Sequence, residues 1–196
     1  AIEAGAIPFT CQGTQNGLAI EGGETLGFEM VSQLRRTGRT LDRIVVQVGG
    51  GALASACSQA LGEARALGAI ERLPRFDTVQ TVGGWPLRRA HDRVVARFWS
   101  GPVDRRYLAT HRSEFMWPWE SEPRSVARGI LDDETYDWLA VVDGMLETGG
   151  HRPIDRVPRD VVKILDVKCP GSGEAGKNAW GNLGLLASNY LSFPIS

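Results

Sequence analysis

The fold of this 196-residue chain is decided at residues 43–56, where the sequence reads RIVVQVGGGALASA. The first six residues are mostly apolar and β-branched, which predicts a buried β-strand. Three glycines follow, and the small residues and helix formers of 52–67 then predict an α-helix. A glycine turn between a strand and a helix leaves backbone N–H groups free at the positive end of the helix dipole. The sequence therefore predicts an anion site at Gly49, Gly50 and Gly51.

The flanking segments predict a parallel α/β unit around this turn. Helical periodicity over residues 24–37 ends at Gly38, where a glycine suits the end of a helix. A second apolar run, residues 76–82, predicts another strand and closes on Gly83 and Gly84. Strand, helix and strand at this spacing predict a right-handed βαβ unit, in which ligands collect at the carboxyl ends of the strands.

Residues 85–146 are predicted to contain two helices and no strand. A helix is predicted over residues 85–98, and its arginines indicate a solvated basic face. Residues 99–123 predict irregular structure, in which the aromatic residues of 115–119 serve core packing. A second helix is predicted over residues 133–146, with Asp132 as its N-cap.

Composition narrows the classes of function. The 22 basic and 23 acidic residues give a net charge of −1, which offers no electrostatic case for nucleic acid or an anionic membrane surface. No apolar run approaches the roughly 20 residues needed to span a bilayer. The cysteines Cys11, Cys57 and Cys169 are widely spaced, which is typical of reduced thiols in a cytoplasmic protein. No metal site is predicted, because the three histidines have no partner at ligand spacing.

Two ligand hypotheses compete at the glycine turn beside a purely structural one. Residues 49–54 formally fit the dinucleotide fingerprint Gly-x-Gly-x-x-Ala. That fingerprint requires an acidic residue at the end of the next strand, where this chain has Gln80 and Thr81. The absence of this acidic residue weakens the dinucleotide hypothesis. A compact phosphate, such as that of pyridoxal phosphate, needs only the glycine turn and the helix dipole.

Two segments resemble the C-terminal part of fold-type II pyridoxal-phosphate enzymes, the family of threonine synthase, threonine dehydratase and the tryptophan synthase β chain. They are residues 10–23, TCQGTQNGLAIEGG, and residues 43–53 of the strand and turn. The resemblance implies a partial three-layer α/β fold with a mostly parallel sheet over residues 1–150. It implies pyridoxal 5'-phosphate as cofactor, with Glu21 and Gly22 at the edge of the active site. The residues implied to hold the cofactor phosphate are Gly49, Gly50, Gly51, Ala52 and Leu53.

The same resemblance implies that the chemistry is incomplete. The family's Schiff-base lysine lies in an N-terminal part that is missing, and Lys163, Lys168 and Lys177 do not stand in such a context. No normal catalysis is expected without that lysine. The predicted function is a fragment of a lyase or synthase acting on hydroxy-amino acids, inactive alone. A truncated parallel sheet exposes a strand edge, so a homodimer or aggregation is expected.

The character of the sequence changes after Gly150. Two prolines in residues 151–158 indicate a linker, and the run at 161–167 predicts a strand. We predict a βα fragment over residues 151–187 and a disordered tail over 188–196.

A second resemblance covers residues 147–182. Residues 147–154, ETGGHRPI, and 160–174, DVVKILDVKCPGSGE, resemble the later part of 7-carboxy-7-deazaguanine synthase, a radical S-adenosylmethionine enzyme of queuosine biosynthesis. The resemblance implies that Glu-Thr-Gly-Gly and the pair Asp166 and Lys168 lie at strand ends near the S-adenosylmethionine pocket. The family's cluster-binding cysteines belong to a missing N-terminal part.

The two resemblances meet at residues 147–150, which either family could supply. The sequence therefore suggests a chimeric product with short shared sequence at the junction. The alternatives to a lyase fragment are a non-catalytic fragment or chimera and a remnant of 7-carboxy-7-deazaguanine synthase.

Overall fold

A computed structural model describes residues 2–81, 83–125 and 127–149 of the chain, and the structural statements below concern these residues. The predictions for the linker, the strand at 161–167, the βα fragment and the tail at 188–196 lie outside the described residues.

Helices and a small parallel sheet alternate in the first half of the chain, and helices alone follow. Short 3₁₀ turns lie at Ile2–Ala4 and Arg128–Ile130. The helices and strands within the described residues are α1 (Gly17–Thr37), β1 (Arg43–Gln47), α2 (Ala52–Ala66), β2 (Arg75–Val79), α3 (Pro86–Arg97), α4 (Arg105–Thr110), α5 (Arg112–Phe115) and α6 (Trp138–Gly149).

The sheet has two parallel strands, so the predicted strand–helix–strand unit is confirmed. Val45 of β1 lies opposite Asp77 of β2, and the pairing is in register over all five positions. Asp77 is buried, and its carboxylate binds the guanidinium groups of Arg43 at 2.9 Å and Arg75 at 3.0 Å. This is a mixed α/β fold with a two-stranded sheet; a three-layer arrangement with a larger sheet is not confirmed.

Helix α1 begins seven residues before the predicted start at Glu24, and two of its glycines serve packing. A Cβ placed on Gly27 would lie 2.5 Å from the Cβ of Ala60, and one on Gly23 would lie 2.9 Å from the Cβ of Ala56. Glycine therefore lets α1 approach the small residues of α2 closely. The predicted end is confirmed, since Gly38 adopts φ +64° and its N–H caps the helix.

Two predictions about the second half are wrong. The segment 99–123 contains α4 and α5, and the Asp104 carboxylate caps α4 by accepting the N–H of Tyr107 at 3.0 Å. Helix α6 starts at Trp138 and not at residue 133. Residues 132–137 contact the glycine turn instead of forming the first turn of the helix. These tertiary contacts override the helical pattern of the sequence.

The core lies between the sheet and the helices α2, α3 and α6. Its fully buried side chains include Val48, Leu87, Val94, Val141 and Val142. Helix α6 closes one side of β2: the Phe76 N–H donates to Thr148 Oγ1 at 2.9 Å, and Thr78 Oγ1 lies 3.5 Å from Met145 Sδ. Phe115 and Met116 are also buried, in keeping with core packing of the aromatic segment.

Candidate functional site

The glycine turn lies where β1 ends and α2 begins, as the sequence predicts. Gly51 is the N-cap of α2 and adopts φ +102°, a conformation that L side chains rarely take. Ala52 and Leu53 are the first two residues of α2. The chain thus places all five predicted phosphate-binding residues at a helix N-terminus on the carboxyl edge of the sheet.

The segment that precedes α6 packs directly on this turn. A Cβ on Gly49 would lie 2.7 Å from Asp132 Oδ2, and a Cβ on Gly51 would lie 3.0 Å from Thr135 Cγ2. The ring of Tyr136 stands 3.2 Å from the same position on Gly50. Glycine is required here because the chain's own side chains fill the space that a longer residue would need.

A carboxylate of the chain takes the place where the sequence predicts a bound anion. The Gly50 N–H donates to the Asp132 carboxylate, which lowers the pKa of that group. Burial and the neighbouring Asp133 act in the opposite direction and are the stronger influences, so the pKa of Asp132 is raised overall. A phosphate at this turn would meet the Asp132 carboxyl group, which already occupies the N–H of Gly50.

The peptide groups of the turn are satisfied by the same segment. Thr135, fully buried, donates its hydroxyl to Gly49 O at 3.0 Å, and the Asp137 N–H donates to Gly50 O at 3.0 Å. Gln80, the residue after β2, donates its amide to Thr135 Oγ1 at 3.4 Å. These bonds tie the carboxyl ends of both strands to the start of α6.

Asp137 joins three parts of the chain. Its carboxylate accepts the N–H of Gly13 at 3.1 Å and the N–H of Thr14 at 3.2 Å, while its own N–H binds the glycine turn. The loop before α1 is thereby held beside the turn. Sequence reasoning missed Asp137, because a lone aspartate before a helix carries no signal for a partner more than a hundred residues away.

An open groove of about 580 Å³ runs beside this junction. Its charged lining is mostly acidic, and its single guanidinium, Arg112, is ion-paired with Glu134. Glu24 is buried there, and its pKa is raised by burial and by the charges of Glu63 and Glu21. The charge of the groove therefore favours a neutral or cationic ligand over a phosphate. Its charged side chains are Glu21, Glu24, Arg112, Asp137 and Asp143.

The two residues predicted at the active-site edge lie in the first turns of α1. Glu21 lines the groove, whereas Gly22 is exposed and does not. The structure brings Glu21 to the same junction as the glycine turn but leaves both of these residues at the surface.

The described residues offer no converging metal-ligand set. No three His, Cys, Asp or Glu side chains in this part of the chain come together in a geometry that could hold a metal ion. Cys11 is exposed, and Cys57 is buried in α2, where burial raises the pKa of its thiol. Among the described helices, none has the length and apolar content required to cross a membrane; the cytoplasmic location stays a prediction.

Part of the chain is similar to a known enzyme. No family model matches the chain. The chain is 57% identical over 53 residues to a 7-carboxy-7-deazaguanine synthase of Koribacter versatilis (strain Ellin345), a match that covers 26% of this chain and 24% of that protein. The chain thus matches about a quarter of the length of this relative.

This similarity corrects the main functional prediction. The relative it names is a 7-carboxy-7-deazaguanine synthase and not a pyridoxal-phosphate lyase, so the assignment to a lyase of the threonine synthase type is wrong. The error arose because a strand, a glycine turn and a helix can be built for internal packing as well as for a ligand. Anion binding by Gly49, Gly50 and Gly51 stays a prediction.

Proposed function

We propose that the chain functions as a portion of a 7-carboxy-7-deazaguanine synthase, and that residues 147–182 bind S-adenosylmethionine. The observation that carries the proposal is the 57% identity over 53 residues with the Koribacter enzyme. Such identity within so short a segment favours retention of a local binding role. Residues 147–174 hold the motifs that resemble this family.

Within residues 147–182, the charged pair Asp166 and Lys168 is the best candidate for ligand contact. S-adenosylmethionine carries an ammonium, a sulfonium, a carboxylate and ribose hydroxyls, and a carboxylate with a nearby amine complements that set. Glu147 and Thr148 are weaker candidates because they end helix α6, where Thr148 binds Phe76 and Glu147 faces Arg65 at 3.5 Å. The implied strand end at these residues is therefore replaced by a helix end.

The cysteines of the chain do not fit an iron–sulfur cluster. Such clusters are held by several thiolates that converge on one point. Cys11, Cys57 and Cys169 lie more than 40 positions apart in sequence, and the raised pKa of the buried Cys57 favours its neutral thiol. We derive no radical step for this chain, and the proposed role is ligand binding.

Calorimetric titration of the purified 196-residue chain with S-adenosylmethionine tests the proposal. We expect saturable binding at one site. The double change Asp166→Asn with Lys168→Met should weaken binding by at least about tenfold, since it removes both charged contacts. Asp42→Asn with Arg35→Gln is the matched control, because it removes one charge of each sign at exposed positions of the described part. Absence of binding, or equal binding by both double variants, would contradict the proposal.

The chain's organisation supports a composite origin as a separate hypothesis. The similarity to the Koribacter enzyme covers 26% of the chain, and helix α6 packs against α2 and β2 up to Thr148. An α/β unit of residues 1–150 would then be joined to a segment of different ancestry. One continuous gene with a transcript across codons 145–155 would rule out a chimeric or misassembled product, whereas two separate source genes would support it.

A further inference from the structure

The open groove beside the glycine turn has the size of a small-molecule site. Residues of α1, α2 and α6 line it, and its volume of about 580 Å³ falls in the usual range for such sites, roughly 300–1,000 Å³. Within the described part of the chain, four carboxylates and one guanidinium line the groove. The proposed role of residues 147–182 makes no use of this groove, so its negative charge calls for a separate explanation.

Three of the charged lining groups are already engaged by the chain itself. Arg112 donates to the carboxylate of Glu134. Asp143 accepts the guanidinium of Arg105 at 2.9 Å, and the Asp137 carboxylate accepts two backbone N–H groups of the loop before α1. These groups are therefore satisfied without a ligand.

Glu24 is buried without such a partner. The residue is 8% exposed, and none of the described residues donates a hydrogen bond to its carboxylate or forms an ion pair with it. In the described part of the chain, the fully enclosed side-chain atom without a hydrogen-bond partner is Arg89 Nε. The Glu24 oxygens are therefore not sealed off, and Glu24 lines the groove. Since buried carboxylates are almost always paired, this one is presented to a ligand.

The neighbours of Glu24 add negative charge. Glu21 precedes Glu24 by three residues on α1, a spacing that puts their Cβ atoms about 5–6 Å apart on one face of the helix. Glu21 also lines the groove, and it too has no partner among the described residues. Burial and the charges of Glu63 and Glu21 raise the pKa of Glu24. No cation in the described part of the chain offsets this concentration of charge.

The polar groups that face the groove here are hydrogen-bond acceptors. Gln59 of α2 donates its amide N–H to Ser55 Oγ at 2.9 Å, which leaves its amide oxygen as a further acceptor. A primary ammonium carries three N–H donors and complements such a set. A quaternary ammonium has none and is bound instead by aromatic faces.

The rest of the lining favours an organic cation over a metal ion. No three acidic, His or Cys side chains of the described residues converge in a way that could hold a metal. Apolar side chains continue the groove beyond the carboxylates, among them Ile20, Leu108, Trp138 and Leu139. An apolar body attached to the ammonium would bury its surface against them.

We propose that this groove binds a primary ammonium group carried on an apolar body, with the carboxylates of Glu24 and Glu21 as its acceptors. The ammonium lies between the two carboxylates, and the apolar body lies along the start of α6. An α-amino acid fits less well, since its own carboxylate would meet the acidic lining. This inference does not rest on the proposed function of residues 147–182.

NMR titration of the full 196-residue chain with hexylammonium chloride tests the proposal. The amide signals of Glu21, Glu24 and Gln59 should shift and saturate together. We expect a Kd on the order of 1 mM, which is usual for so small a ligand. Absence of saturable shifts at these three residues would overturn the proposal.

A charge-removing variant gives the second readout. Glu24→Gln keeps the size of the side chain and should weaken hexylammonium binding by at least about tenfold. Glu29→Gln is the matched control, because Glu29 is an exposed residue of the same helix whose carboxylate binds Gln33 Nε2 at 2.9 Å. Equal binding by the two variants would overturn the proposal.

Thermal unfolding distinguishes a ligand-binding carboxylate from a structural one. Removal of a buried, unpaired charge does not destabilise a fold, so the Tm of Glu24→Gln should equal or exceed that of the parent chain. Hexylammonium should raise the Tm of the parent chain and leave that of the variant unchanged. A lower Tm for the variant would assign Glu24 an internal partner and overturn the proposal.

Two further probes separate the ammonium from charge or apolar surface alone. 1-Hexanol lacks the charge and tetramethylammonium chloride lacks the N–H donors, so each should bind at least about tenfold more weakly than hexylammonium. Equal binding by either probe would overturn the proposal. S-adenosylmethionine binding is measured in a separate titration with variants of Asp166 and Lys168, so the two proposals can fail independently.

Discussion

The two strands of the sheet have similar lengths and opposite surroundings. On β2, the last four residues are buried, and the N–H of Phe76 is bonded to α6. On β1, only Val46 is buried, and Val45 is more than half exposed. The difference shows that the local strand pattern decides where strands form, whereas the helices that follow decide which strand is covered.

The largest expected effect comes from shortening a side chain on the covered strand. Phe76→Ala should lower the free energy of unfolding by about 3–5 kcal/mol, because Phe76 is 2% exposed and its loss leaves a cavity against α6. Val45→Ala should lower it by less than about 1 kcal/mol, since the side chain is largely exposed. Urea unfolding followed by circular dichroism measures both. Equal losses at the two positions would mean that both strands are equally covered.

A smaller effect is expected from removing the Thr148 hydroxyl, which accepts the N–H of Phe76 on β2. Thr148→Val keeps the shape of the side chain but leaves the N–H of Phe76 without its acceptor, which should cost about 1–2 kcal/mol. Thr110→Val is the matched control, because the exposed Thr110 hydroxyl contacts only local groups, the carbonyl oxygens of Arg106 and Tyr107 and the ring of His111. Its loss should cost less than about 0.5 kcal/mol. If Thr148→Val were as mild as the control, the contact between α6 and β2 would not hold that edge.

The smallest effect concerns the carboxyl end of β1. The raised pKa of Asp132 means that the folded state favours the protonated carboxyl. Its contribution to stability is complete below the ordinary aspartate pKa of about 4 and is lost as pH rises through the raised value. Asp132→Asn should therefore stabilise the fold at pH 7 by about 0.5 kcal/mol, a small value because the side chain is only partly buried.

Thermal unfolding at intervals from pH 4 to pH 7 checks the effect at Asp132. The variant should show a flatter dependence of Tm on pH than the parent chain, with the two curves meeting near pH 4. Asp104→Asn serves as the control for a carboxylate outside this junction. A parent curve that does not fall relative to Asp132→Asn above pH 4 would contradict the assigned cause.

Much of the fold follows from local sequence signals. The strand at 43–47, the helix after the glycines and the end of α1 at Gly38 were predicted from β-branched residues, helix formers and a glycine cap. The early start of α1 was not, because Gly17, Gly22 and Gly23 weaken the helical pattern. Of these three, Gly23 faces the Cβ of Ala56 on α2, and a single sequence does not reveal that contact.

The position of the site could be predicted from the sequence, but the residues that cover it could not. The sequence located Gly49, Gly50 and Gly51 at the carboxyl edge of the sheet, which the structure reproduces. The covering residues Asp132 and Asp137 come from a segment some 80 positions later, and their approach depends on tertiary packing. The same glycine pattern serves a ligand in one protein and internal contacts in another, so the pattern alone led to the wrong class of enzyme.

At the glycine turn the chain itself supplies a partner for the backbone, because the Asp132 carboxylate accepts the N–H of Gly50. A phosphorylated metabolite would have to displace the Asp132 carboxylate before its phosphate could bind the N–H of Gly50. Selection for a tightly packed turn would thus favour an acidic residue at position 132, whereas selection for phosphate binding would disfavour it.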